Sequence, residues 1–145
     1  MTARDTLTAV IKKHTDVSNT AANVDFDNGG LATGVEWVVG GDPTNGSDDS
    51  SVAPTLDNTT DPDFLIFTHR RSDAAFADGN TAITVEYGTD LSGWTTAVAG
   101  PDIIINVTDD GAAVGVDLVE VKIRRSTFAV DGKLFARLNV VVTLP

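Results

Sequence analysis

Residues 117–125 read DLVEVKIRR. Val119, Val121 and Ile123 share one parity and Glu120, Lys122 and Arg124 the other. That is the period of a strand with one face in a core and the other in water. The same grammar extends outward in both directions. Upstream, 103–107 (IIINV) and 64–70 (FLIFTHR) are β-branched and aromatic runs, and 81–87 (TAITVEY) alternates with Ile83, Val85 and Tyr87 on one face. Downstream, 134–142 places Leu134, Ala136, Leu138, Val140 and Val142 on one face, and 94–98 is a weaker candidate. The spacers Ala77–Asn80, Gly88–Gly93, Asp109–Gly111 and Asp131–Gly132 carry turn chemistry. About six strands at short spacing, with no helical period between them, predict a mainly β domain. The expected architecture is an antiparallel β-sandwich, immunoglobulin-like or jelly-roll-like, over residues 64–145.

The first half reads differently. Residues 1–63 hold 11 acids and three bases, against 10 acids and seven bases in 64–145. Leu7, Val10, Ile11 and His14 recur at helical spacing and predict a short helix over 4–15. A second helix is expected over Leu31–Val39, stopped by Gly40-Gly41-Asp42-Pro43. Residues 44–63 (TNGSDDSSVAPTLDNTTDPD) read as a loop or linker, with a short strand near Val52–Leu56. The organisation is then a helical segment with an Asp-rich loop at 1–43, a linker at 44–63 and the β-sandwich at 64–145.

The whole chain has 145 residues, a formal net charge of −11 and no cysteine. Without thiols there is no disulfide framework, thiolate metal site or cysteine nucleophile. The acidic balance disfavours nucleic acid, whose phosphates it repels. It suits divalent cations. No apolar run is long enough to span a membrane as a helix.

The Asp25–Glu36 stretch, DFDNGGLATGVE, carries the clearest chemistry. Calcium takes six to eight oxygens, and a loop with acids at positions 1, 3 and 12 and glycine at 6 wraps it. Counted from Asp25, those positions are Asp27, Glu36 and Gly30, and position 7 is Leu31, which would offer its carbonyl. The candidate ligands are therefore Asp25, Asp27, Leu31 and Glu36. Position 5 is Gly29, which has no side-chain oxygen. The alternative reading is an Asp/Asn/Gly turn that caps the second helix.

The run DFDNGGLATGVEWVVGGDP resembles an Asp-rich motif of secreted, modular bacterial proteins of the verrucomicrobial and planctomycetal type. It is similar to the calcium unit of thrombospondin type 3 repeats and dockerins. The matching residues are Asp25, Asp27, Gly30, Leu31, Glu36, Trp37, Gly41, Asp42 and Pro43. The phrases FTHRRSDA, VEYGTDLSGW, VTDDGAA and GKLFARLNV resemble the C-terminal module that follows this motif. The resemblance spans residues 16–145. It implies an extracellular or cell-surface setting within a larger exported protein, with structural Ca2+.

Catalytic constellations are thin. His69, Ser72 and Asp73 supply the residue types of a triad, but no nucleophile-elbow motif is present, and His69 is expected on a strand edge or outward-facing polar run. Glu36, Glu86 and Glu120 are the only glutamates, the latter two on polar strand faces. Trp37, Trp94 and Tyr87 are expected to pack inward. His69, Arg70, Arg71, Lys122, Arg124, Arg125, Lys133 and Arg137 would form a basic stripe suited to anionic polysaccharide if their strands are neighbours, or pair across strands with nearby acids. The expected role is a non-catalytic, calcium-stabilised accessory or attachment module, adhesive in character. A carbohydrate-binding module is one alternative, and a structural subunit self-associating through edge strands such as 138–144 is another.

Overall fold

The computed structural model describes residue 25, residues 28–42 and residues 45–143. The helix expected at 4–15, and Asp27 with it, lie outside the described residues. The elements are α1 (Thr33–Val39), α2 (Asp49–Val52), β1 (Thr55–Asp57), β2 (Phe64–Ser72), α3 (Asp73–Ala77), β3 (Thr81–Gly88), β4 (Thr95–Thr96), β5 (Ile103–Ala113), β6 (Val116–Arg124), α4 (Arg125–Phe128) and β7 (Phe135–Val142). The strands form two antiparallel sheets, one of order β1-β2-β6-β5 and one of order β4-β3-β7. They stack as a sandwich, in keeping with the period-two reading.

The residues that set the period also set the core. Leu65, Phe67 and His69 of β2 lie opposite Ile123, Val121 and Val119 of β6, and β5 adds Ile103 and Ile105 to the same rows. From the facing sheet, Val85 lies opposite Leu138 and Ile83 opposite Val140. Phe67, Val85, Ile103, Val119, Val121 and Ile123 form one buried cluster, which Tyr87 and Phe128 seal with ring centroids 4.8 Å apart. The turn before β7 is a two-residue hairpin in which Asp131 and Gly132 take φ of 53° and 74°. Val130 and Lys133 exchange backbone hydrogen bonds across it. A loop with both central residues at positive φ matches the twist of paired strands, which is why Asp-Gly stands there.

The stretch expected as a linker is partly structured. Residues 49–52 are helical, and Thr55–Asp57 joins the first sheet against Ile66–Thr68. Helix α1 docks on the sandwich through Trp37 and Val38, which cluster with Ala75 and Val142. The Trp37 indole N–H donates to Thr81 Oγ1 at 3.1 Å, and the Ser72 hydroxyl donates to the Trp37 carbonyl at 2.9 Å. Both ends of the tryptophan are thereby satisfied as its apolar body is buried.

Two expectations need correction. His69 is not outward-facing: it is 4% exposed, on the inward parity that Leu65 and Phe67 define. Trp94 is half-buried rather than core, with the Arg137 guanidinium 4.2 Å above its ring.

Candidate metal centre

The Asp-rich loop closes on itself through Asp25. Its Oδ1 accepts the Gly29 amide at 3.1 Å and its Oδ2 accepts the Gly30 amide at 2.9 Å. Asn28 and Gly30 take φ of 61° and 114°, which turns the chain sharply into α1. The helix then ends at Gly40, whose φ of 80° lets the Gly40 and Gly41 amides both reach the Glu36 carbonyl at 2.9 Å.

Of the four expected ligands, the structure places Asp25 in the turn, Leu31 at the loop's exit and Glu36 wholly buried on α1. Leu31 enters through its amide, which donates to Asp49 Oδ2 at 2.8 Å. Two acids that the sequence reading assigned to a solvated loop are drawn in here. Glu36, Asp48 and Asp49 each bring a carboxylate oxygen within 4.8 Å of the others. Asp49 is 2% exposed. Asp48 Oδ2 accepts the Asp42 amide at 3.1 Å. The remaining oxygens, Asp48 Oδ1 and Asp49 Oδ1, are buried and have no hydrogen-bond partner among the described residues. A buried carboxylate oxygen without a donor carries a large desolvation penalty, and a cation in the gap would remove it.

Gly29 is explained by the same geometry. A β-carbon at residue 29 would collide with the Asp49 carboxylate and the Gly46 backbone. The loop position that ordinarily carries a third acid has no room for one, because Asp49 occupies the space from another part of the chain. Oxygen-only donors of this kind suit a hard divalent cation, calcium or magnesium, rather than a softer transition metal.

A second acidic group is different in kind. Asp73, Asp109, Asp110 and Asp117 also approach within 4.8 Å, but three of them are exposed. Asp117 is held by Arg71 at 2.8 Å and accepts the Asp110 amide at 3.2 Å. The Arg71 hydrogen bond holds the Asp117 carboxyl below its ordinary range. The Asp110 charge, followed by Asp117, pushes Asp109 up. Desolvation, followed by the Asp117 charge, does the same to Asp73.

The triad residue types do not assemble. The Ser72 hydroxyl donates to the Trp37 carbonyl while its oxygen caps α3 by accepting the Ala75 amide. His69 Nδ1 faces the Arg70 carbonyl at 2.9 Å. Glu86 pairs with Arg137 at 2.8 Å, Arg124 with Asp102 at 2.9 Å, and Lys122 stands 4.0 Å from Glu120. With His69 and Arg71 turned inward, the expected basic stripe is broken up: Arg71 and Arg137 pair across strands, Arg124 with the loop residue Asp102, and Lys122 lies near Glu120 of its own strand. No helix among the described residues is long and apolar enough to cross a membrane.

No family model, curated protein or solved structure matches the chain.

Proposed function

We propose that this chain is a non-catalytic β-sandwich module in which a structural calcium ion, held by Glu36, Asp48 and Asp49, ties the Asp-rich segment to α1 and α2. The observation that carries the reading is the pair of buried oxygens Asp48 Oδ1 and Asp49 Oδ1, without a donor among the described residues, beside the buried Glu36 carboxylate. Three carboxylates this close repel one another, and a divalent cation between them converts that repulsion into attraction. When bound, calcium supplies cross-linking rather than Lewis-acid chemistry: it joins residues 36 and 48–49 and couples their folding to the ion. Asp25 and Leu31 act beside it as the hydrogen-bonded turn that holds the loop in place.

The biological role follows from the resemblance: an accessory or attachment module of an exported, cell-surface bacterial protein. The test is calorimetric titration of the chelator-stripped chain with calcium, for the wild type and for Glu36→Gln. Heat with a stoichiometry near one, lost in the variant, supports the reading. No heat in the wild type overturns it.

Self-association is a second reading favoured by one observation. Strand β5 is a sheet edge, and it exposes Ile104, Ile105 and Val107 at 39%, 38% and 49%. Such an edge offers unpaired backbone groups to another chain. Sedimentation velocity across a concentration series decides it, with a constant monomer as the contrary result.

A further inference from the structure

Among the described residues the two sheets of the sandwich are unequal: the first has four strands, and the second has three, of which β4 spans only Thr95–Thr96. Inward-facing Ile105 on β5 is therefore incompletely covered and remains 38% exposed, whereas Ile103, on the same face, is buried at 5%. The gap is a cleft of about 190 Å³ between the sheets, lined by His69, Arg71, Phe76, Val85, Ile105 and Val121 among others. We infer that this cleft binds a small, uncharged, mainly apolar molecule carrying one hydrogen-bond donor, of the phenol or short-alcohol class, with His69 as the acceptor.

Size, polarity and charge each narrow the choice. An apolar cavity of about 150 Å³ accommodates benzene, so this one takes a ring with a small substituent. The walls are chiefly Val, Ile and Phe side chains, with His69 at 4% exposure as the buried polar member. Its Nδ1 lies against a carbonyl, which accepts only, so Nδ1 carries the hydrogen. In the neutral ring Nε2 is then a lone-pair acceptor, with no hydrogen-bond partner among the described residues. Arg71 does not invite an anion. Its charge is balanced by Asp117, which accepts from one terminal nitrogen at 2.8 Å; the guanidinium lies 3.7 Å over Phe76, and its Nε–H is buried without a hydrogen-bond partner among the described residues. Asp73, Asp109 and Asp110 each bring a carboxylate oxygen within 4.8 Å of that of Asp117, so the surroundings of the Arg71–Asp117 pair are net acidic. A carboxylate is repelled there, and a hydrogen-bond donor is welcomed.

The test uses the full chain, with phenol, benzene and benzoate as probes, followed by amide NMR shifts. Phenol is expected to perturb the amides of Val85, Ile105 and Val121 and to bind about fivefold more tightly than benzene, the worth of one neutral hydrogen bond. Benzoate is expected to leave these signals unmoved. His69→Leu should erase the phenol preference, and His69→Gln, which retains an acceptor, should keep most of it. If the leucine variant does not fold, the wild-type probe ratio and the glutamine variant still decide. Benzoate binding as tightly as phenol overturns the inference, as do phenol shifts confined to residues outside the cleft. No perturbation by any probe, including exclusion by self-association through β5, overturns it equally.

Discussion

Asp49 Oδ2 accepts the Leu31 amide at 2.8 Å across 18 residues of chain. That bond fastens the segment around α2 to the end of the Asp-rich loop, and it sets the carboxylate against Gly29, where no side chain fits. The space that a side chain at the fifth loop position would take is thereby filled by a carboxylate from outside the loop.

Gly29→Ala is expected to destabilise the chain by about 2 kcal/mol, since backbone or carboxylate must shift to admit one carbon. Gly29→Asp, which restores an acid at the fifth loop position, should weaken calcium binding rather than strengthen it, because the new carboxylate displaces Asp49. Urea unfolding and calcium titration of the two variants check both statements. A tighter site in Gly29→Asp would contradict the geometry.

How much of this was legible beforehand differs by region. Val119, Val121 and Ile123 announced β6 because a half-buried strand must alternate, and no helix satisfies that period. Parity was harder to read in β2: Phe64 and Ile66 make the outward row apolar as well, so nothing in FLIFTHRR alone fixes His69 and Arg71 as inward. Glu36 was found through its distance from Asp25. Asp48 and Asp49 were missed because their surroundings, TNGSDDSS, have the composition of a solvated loop. Only the tertiary packing of α2 beside α1 buries Asp49 and brings Asp48 next to Glu36.

His69 gives the fold a pH dependence. Burial, reinforced by the Arg71 charge and opposed by the Arg70 carbonyl, depresses its affinity for protons below the ordinary value of 6.5. The unfolded chain therefore binds a proton near pH 6.5 that the folded chain refuses until lower pH. Stability present above pH 6.5 is lost as pH falls toward the folded value, with a slope of at most about 1.4 kcal/mol per pH unit. Asp73, pushed above 3.8 by desolvation and then by the Asp117 charge, and Asp109, pushed up by the Asp110 charge, act in the opposite sense, since the folded chain holds their protons more tightly. Urea midpoints between pH 7.5 and 5.5, compared with His69→Leu, isolate the histidine contribution. Equal slopes in both proteins would remove it from the account.

The Arg71 charge is the counterweight to the acidic group formed by Asp73, Asp109, Asp110 and Asp117. Its side chains are 16% and 6% exposed. Arg71→Met leaves a buried carboxylate among three further acids and is expected to cost about 3 kcal/mol. Adding Asp117→Asn to that variant should recover part of the loss, because the stranded charge is removed. A double-mutant cycle by urea unfolding measures the coupling, and a double variant no more stable than Arg71→Met would contradict it.

The central claim is that calcium is held by Glu36, Asp48 and Asp49. Its most direct measurement is the shift in unfolding midpoint that calcium causes in the chelator-stripped wild type and in Asp49→Asn. At a hundredfold excess over the dissociation constant, the wild type should gain about 2.7 kcal/mol, a rise of about 8 °C for a chain of this size. Asp49→Asn should show almost none of it. A full calcium shift in Asp49→Asn, or none in the wild type, would contradict the account.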